Sequence, residues 1–508
     1  MPEIRGAAPE KPSNALASVK FTLREIRIEG ATVLPQKPWS TEASRYIGHQ
    51  ITGNDVFDLA RRLTAAYRDA GYILSQVIVP PQSLAGGVLT LRVVEGYIAE
   101  VHVEGDPALH DTLTKIGEKI KASRPLRESD LERYLLLAND LPGIRLRSIL
   151  SPSRTPGAAD LTLIAHVRKV DGYVSLDNYG SKYLGPGELS ASVAGYHMFG
   201  ADSELRLTGV TTGNSELGYG QLSYGQVVNV EGLKLGASVS QARTRPGDTL
   251  APYDVRANAD AVTVSLGYPL LRTRNRSLFV RAVYDHRYVD IDVLGTRTIQ
   301  DNIQAIRLGA TWLALDALDG HNSLDVEFSR GVGGTDKSDP LKSRAGADSH
   351  FSKLTFDYQR FQSMGANYSL TLGLGGQWTN VPLLSSEQYA LGGRRFGRAY
   401  EPAELVGDRA LAFRAEPAYT RRTSGDWLKA YQLYGFYDVG KIWDKDNGTG
   451  SSTGQSLASA GFGTRLFLDK NVTAKLEAAW PLTKPVASYQ ADGEGKHVRF
   501  LGSLAARF

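Results

Sequence analysis

The chain has 508 residues with 53 Gly, 22 Pro, 24 Tyr and no Cys, too long for one ordinary core, so it holds at least two domains or one large β structure. The lack of Cys excludes a disulfide-stapled scaffold and any thiolate nucleophile or metal site, and 58 Lys plus Arg against 54 Asp plus Glu (net +4) gives no electrostatic footprint for nucleic acid. No run approaches the roughly 18 uninterrupted apolar residues of a spanning helix, which leaves a soluble multidomain protein or a membrane β-barrel.

Residues 1–20 carry Pro2, Pro9 and Pro12 and no apolar core, so they read as a flexible lead-in and not as a signal peptide. Either the protein is cytosolic, or Met1 replaces the export signal of a mature or recombinant form. The rest of the chain favours the second. From Phe21, FTLREIRIEG alternates as a strand up to Gly30. Asn54-Asp55 offers a helix N-cap, followed by Val56, Leu59, Leu63 and Tyr67 at helical spacing and closed by Gly71. Two strands follow, ILSQVIVP over 73–80 and GVLTLRVVEG over 87–96, separated by Pro80, Pro81 and a Gly-Gly turn. The order then recurs 75 positions on: VHVEG at 101–105 echoes IRIEG at 26–30, and a helix at 129–139 precedes strands at 145–150 and 159–167. This is a duplicated domain. It reads either as two packed α+β structural modules or as two small sheets with free edges to which an extended segment of another chain adds as a strand.

From Val170 to Phe508 the pattern is alternation. Leu278, Val280, Ala282 and Tyr284 alternate with Arg281 and Asp285; Val472, Ala474, Leu476, Ala478 and Trp480 alternate with Lys475 and Glu477. Runs of this kind begin near 170, 186, 202, 216, 231, 257, 274, 302, 321, 349, 366, 407, 428, 455, 471 and 497. Sixteen antiparallel strands, an even number, suit a closed outer-membrane barrel, because lipid satisfies no edge hydrogen bonds; a large soluble sandwich or propeller is the alternative. Trp312, Tyr358, Tyr431 and Trp480 suit interfacial girdles. The chain ends in VRFLGSLAARF with Phe508 on the apolar face, similar to the C-terminal recognition signal of bacterial outer-membrane proteins.

The connection at 379–406 does not fit a plain porin. It holds LGGRRFGRAYEPAEL, in which Arg394, Arg395 and Arg398 need carboxylate partners if the loop folds inward. Parity places Asp438, Arg414 and Glu416 toward the lumen, where a bidentate Arg–Asp pair would hold the loop by about 1–3 kcal/mol. The alternative is a surface cluster facing headgroup phosphates.

Two modules reading FTLREIRIEG, AAYRDAGYILSQVIVPPQ and LRVVEGYIAEVHVEG, followed by such a barrel with GGRRFGRAY and GDRAL, resemble the transporter component of two-partner secretion, the haemolysin activator and filamentous haemagglutinin transporter family. The resemblance covers nearly the whole chain from about residue 20. It implies two small α+β polypeptide-transport-associated (POTRA) domains at 21–96 and 97–169 in the periplasm, then a 16-stranded antiparallel transmembrane β-barrel at 170–508 with an inward loop at 379–406.

It further implies an inward-loop latch of Arg398, Tyr400, Gly392, Gly393 and Arg395. Asp438, Gly440 and Glu416 are the barrel-wall partners, with Asp438 in the barrel motif Phe436-Tyr437-Asp438-Val439-Gly440. Of the family's Val-Arg-Gly-aromatic tetrad, Gly397-Arg398-Ala399-Tyr400 retains the Arg and the aromatic. Tyr72, Pro81, Gln82, Glu95 and Gly96 mark a partner-binding surface on the first module, and Phe508 the C-terminal barrel signal. The implied partners are a secreted exoprotein in unfolded form, outer-membrane lipid and the barrel-assembly machinery, with no nucleic acid. Members often begin with a plug helix, for which 20 residues with three prolines are short. A passive porin or an outer-membrane insertase is the rival reading. No HExxH pair, GxSxG elbow or phosphate-cradling Gly-Lys-Ser/Thr loop occurs, so no enzyme, cofactor or metal is expected.

Overall fold

The computed structural model describes residues 3–4, 19–33, 36–84, 86–200, 202–445, 454–469, 471–487 and 497–508. Most of the expected lead-in at 1–20 lies outside them. The chain divides into two compact units, Met1–Arg168 and Lys169–Phe508.

The first unit begins with β1 (Glu3–Ile4), β2 (Lys20–Thr22), β3 (Glu25–Glu29), α1 (Gln36–Ser44), β4 (Gln50–Thr52), α2 (Gly53–Asp69), β5 (Gln76–Ile78) and β6 (Val88–Val94). The cap of helix α2 lies two residues before Asn54. Thr52 is its cap, because Asp55 at the third position answers reciprocally: the Asp55 amide donates to Thr52 Oγ1 at 3.4 Å and the Thr52 amide to Asp55 Oδ2 at 2.7 Å. Its face of Val56, Leu59, Leu63 and Tyr67 is buried with Leu89, Leu91 and Val93 of β6.

The same plan follows in β7 (Tyr97–Gly105), α3 (His110–Lys121), α4 (Glu128–Asn139), β8 (Ile144–Pro152) and β9 (Ala158–Val167). Helix α3 is an addition to the sequence reading. Its stripe of Leu113, Ile116 and Ile120 is visible in the sequence, and the helix is entered through a 3-10 turn (Pro107–Leu109) capped by Asp106, whose side chain accepts from the Ala108 amide at 3.0 Å. The sheets have the orders β3-β6-β5 and β1-β8-β9-β7. In each, the first strand runs parallel to the last (β3 with β6, β7 with β9) and the penultimate strand antiparallel to it. Gly30 and Gly105 end the two first strands with φ of 80° and 119°, and a Cβ at either would lie 2.5 Å from Val93 O or 2.3 Å from Ala165 O. Only glycine fits both sites, which accounts for the recurring IRIEG and VHVEG.

In the second unit, β10 (Val170–Asp177), β11 (Glu188–Tyr196), β12 (Ser203–Thr212), β13 (Leu217–Val227), β14 (Lys234–Thr244), β15 (Arg256–Arg272), β16 (Arg276–Val293) and β17 (Thr296–Leu315) form half of a closed barrel. The other half is β18 (Gly320–Gly334), β19 (Ser352–Ser363), β20 (Tyr368–Thr379), β23 (Arg409–Arg422), β24 (Ala430–Trp443), β25 (Gly454–Phe467), β26 (Val472–Pro481) and β27 (Arg499–Arg507). Antiparallel pairing of β10 with β27 closes these sixteen described strands. Observed starts lie within three residues of the expected ones, as with 231 against Lys234, except near 302, where β17 begins at Thr296. There the hairpin at Leu294-Gly295 carries β16 and β17 beyond their apolar stretch, and Arg297, Gln300 and Asp301 hide the alternation. Tyr284, Leu308, Phe328 and Leu354 are exposed on the outer face. Arg281 points the other way, its guanidinium donating to Asp325 Oδ2 at 2.7 Å and Glu327 Oε2 at 2.9 Å.

Candidate functional site

The connection from β20 to β23 is not a surface loop. It carries a short 3-10 turn (Ser385–Glu387) and a private hairpin, β21 (Tyr389–Leu391) with β22 (Leu405–Gly407), that pairs with itself and not with the wall. Leu391, Phe396, Tyr400 and Leu405 are buried against the wall residues Ala412, Phe436, Ile442 and Leu457. Gly440 makes room for this: a Cβ there would stand 2.7 Å from Leu391 Cδ1. Gly392, Gly393 and Gly397 all have positive φ and turn the tip back on itself.

Each arginine of the tip reaches a different part of the wall. Arg394 pairs with Asp177 of β10 and, at 3.3 Å, with Glu188 of β11; Arg395 pairs with Asp357 of β19. Arg398 is only 3% exposed. Its Nε and Nη2 donate to the two oxygens of Asp438, both at 3.0 Å, and its Nη1 to Glu416 Oε2 at 2.7 Å and Glu477 Oε1 at 3.0 Å. The amides of Gly397 and Arg398 also donate to Asp438 Oδ2, at 3.3 and 3.2 Å. The guanidinium carbon lies 3.5 Å from the centre of the Phe436 ring, so the cation is stacked as well as paired. The Tyr400 hydroxyl donates to a backbone carbonyl, Ala458 O at 3.2 Å or Lys484 O at 3.1 Å.

Three carboxylates around one guanidinium would repel one another unless other cations helped. They do: Glu416 accepts from Arg465 Nη2 at 2.6 Å and Glu477 pairs with Lys475 Nζ at 2.8 Å. The inward parity of Glu477 and Lys475 was visible in the sequence, but nothing in it joined them to Arg398. Nor did anything in the sequence point to a second set of charges at the start of the connection, Glu387 with Arg307 and Lys353, and Asp408 with Arg344.

The five marked residues of the first module have mostly internal contacts. Tyr72 packs edge-on to Tyr67, with ring centres 6.1 Å apart. Gln82 uses both ends of its amide on Thr90, accepting from its N–H and donating to its carbonyl at 2.7 Å each. Glu95 accepts from the amides of Thr32 at 2.6 Å and Val33 at 3.0 Å, from the Thr32 hydroxyl, and from Tyr67 OH at 3.1 Å. Burial pushes its carboxyl up, but these donors outweigh burial and hold it below the usual range. Gly96 sits where a Cβ would meet Leu74 at 2.4 Å, and its carbonyl accepts from the Leu126 amide at 2.8 Å. Pro81 is exposed. At the other end of the chain, Phe508 and Gly172 exchange two main-chain hydrogen bonds of 3.0 Å beside the barrel seam.

A closed sixteen-stranded barrel holding a charge-pinned hairpin inside, joined to small α+β modules, defines the polypeptide-transporting class of outer-membrane barrels. A family model described as haemolysin secretion/activation protein ShlB/FhaC/HecB matches residues 161–466, and a POTRA domain model of ShlB type matches residues 21–96. The chain belongs to that family of two-partner secretion transporters. It is 21% identical over 468 residues to the heme/hemopexin transporter protein HuxB of Haemophilus influenzae, covering 90% of this chain and 82% of that one. It is 24% identical over 424 residues to the outer membrane transporter CdiB of Dickeya dadantii, covering 80% and 74%. The solved structure of CdiB from Escherichia coli superposes with a TM-score of 0.77 at 19% identity, covering 98% of this chain and 92% of that one, and shares the fold. The protein resides in the bacterial outer membrane with its POTRA region in the periplasm, and exports a partner protein across that membrane.

Proposed function

We propose that the chain is organised as a lead-in at 1–20, POTRA domains at 21–96 and 97–169, and a barrel at 170–508, and that the POTRA domains take the partner in extended form by strand addition. In the first sheet β3 and β5 are the edges, and in the second β7 is an edge while β1 lies along β8. Ile28 on β3 and Ile78 on β5 are exposed beside these edges, which gives an incoming strand apolar contact as well as main-chain hydrogen bonds. Such bonds demand little of the partner's sequence.

The barrel then conducts the chain outward, past an inward loop whose latch is Arg398 on Asp438, Glu416 and Glu477. The observation that carries this reading is the buried Arg398 cluster, which holds the hairpin inside the barrel by ion pairs, two of whose carboxylates keep other cations when it leaves. Folding of the partner outside makes return unfavourable and supplies the drive. The outward apolar band meets outer-membrane lipid, and the Phe508 end is the signal read by the barrel-assembly machinery.

The test compares culture supernatants of the source bacterium with and without the gene by mass spectrometry. Loss of one large protein, with its unfolded form stranded in the periplasm, is the expected result. Unchanged supernatants with altered solute uptake would favour a porin, and depletion of many barrel proteins an insertase.

A further inference from the structure

A loop whose tip latch exchanges partners during transport needs a fixed point about which to turn. The two charged clusters on this loop are unlike each other. At the tip, a cation is held by wall carboxylates, two of which keep a second cation of their own. At the start of the loop the signs are reversed: Glu387, 1% exposed, lies among wall cations on β16, β17 and β19. Its carboxylate accepts from Arg307 Nη2 at 2.7 Å and Nη1 at 3.1 Å and pairs with Lys353 Nζ at 2.8 Å, with Arg287 Nη1 at 3.6 Å. Its backbone carbonyl accepts from Lys353 Nζ at 2.8 Å and Gln377 Nε2 at 3.1 Å.

Apolar packing reinforces this end. Leu383 and Leu384 are fully buried with Ile303, Ala305, Ala347 and Phe351. The far end of the loop is tied to the same place: Asp408, also fully buried, accepts from the Leu383 amide at 2.9 Å, the Lys445 amide at 2.7 Å and the Arg344 guanidinium. Both ends of the loop therefore meet in one anchored base, and residues 388–407 form a flap between them.

We propose that 383–387 with Asp408 is a fixed pivot, that Glu387 is its positioning residue, and that transport swings the flap at 388–407 about it. This rests on the latch reading of Arg398. Release at the tip leaves Glu416 and Glu477 with their own cations, although it uncovers the apolar side of the hairpin and takes Arg398 from Asp438; release at the base would take Glu387 from both Arg307 and Lys353, uncover Leu383 and Leu384 and free Asp408 from the Leu383 amide. The tip opens and the base holds.

The chain has no Cys, so introduced thiol pairs report cleanly. A base lock joins S343C to S385C, positions where the Ser385 amide donates to Ser343 Oγ at 3.0 Å; a tip lock joins R395C to D357C, an ion pair in the native protein. Each is closed by a reductant-cleavable bis-methanethiosulfonate. The expected result is secretion at the wild-type level with the base locked, and at least tenfold lower secretion with the tip locked, restored by reductant. Loss of secretion on locking the base, restored by reductant, would overturn the pivot. Normal secretion with the tip locked would instead overturn the latch reading beneath it. In planar bilayers, single-channel openings of R398A should reclose, and those of E387A/R398A should last at least tenfold longer; equal lifetimes would also refute the pivot.

Discussion

Replacing Arg398 by Ala removes the guanidinium that bridges β23, β24 and β26 to the loop tip. Breaking a buried ion pair from one side costs about 3–5 kcal/mol, because charge is left without compensation. Here Glu416 keeps Arg465 and Glu477 keeps Lys475, so only Asp438 loses its cation, and it still accepts from the two tip amides. The cost thus lies near the low end, about 3 kcal/mol. At about 1.4 kcal/mol per factor of ten, the ratio of seated to unseated tip falls about a hundredfold. A single thiol at Ala399, which is 1% exposed, reports this through its labelling rate by a soluble maleimide. We expect A399C/R398A to label about a hundredfold faster than A399C, with a barrel that still assembles and with lower secretion. R398K should fall between them, since an ammonium cannot bond both Asp438 oxygens in the plane of a guanidinium. A labelling rate within threefold of the A399C parent would refute the energetic argument, and normal secretion by R398A would refute the latch.

Further outcomes follow from the same geometry. G440L puts a side chain where Leu391 now lies, so the β21–β22 hairpin should lift and A399C should label faster even with Arg398 intact. Glu95→Ala removes an acceptor shared by four donors and should destabilise the first module by about 2–3 kcal/mol, read as faster amide exchange in Val88–Val94. Because the folded-state carboxyl of Glu95 lies below its ordinary value, its contribution is full at neutral pH. It is lost as pH falls through about 4.5 toward the lower folded value, so E95Q should flatten the acid dependence of that exchange. Deleting Phe508 removes two main-chain bonds to Gly172 and the ring that covers it, and should lower the yield of heat-modifiable folded barrel.

Much of this protein is written locally. Period-2 alternation fixes both the number of barrel strands and the face each side chain takes, because a closed sheet between lipid and lumen leaves each position only two environments. That is why the inward direction of Asp438, Glu416 and Glu477 follows from parity alone. The glycines of IRIEG and VHVEG likewise announce a repeat, since each ends a strand where no Cβ fits.

What the tertiary structure alone decides is which inward charges meet. Arg398 and Glu477 are 79 positions apart, and Arg307 and Glu387 are 80 apart. Their pairing depends on barrel closure and on the depth to which the hairpin enters, neither of which leaves a local trace. Helix α3, by contrast, is entered through a 3-10 turn at Pro107–Leu109 capped by Asp106, a start signal that lies in the sequence just ahead of the helix itself. The internal bonds of Glu95 and Gln82 leave no local trace, because a polar residue beside a strand reads the same in sequence whether or not it bonds its own backbone. The donors around Glu95 and the Thr90 main chain against Gln82 are seen only once the module is folded.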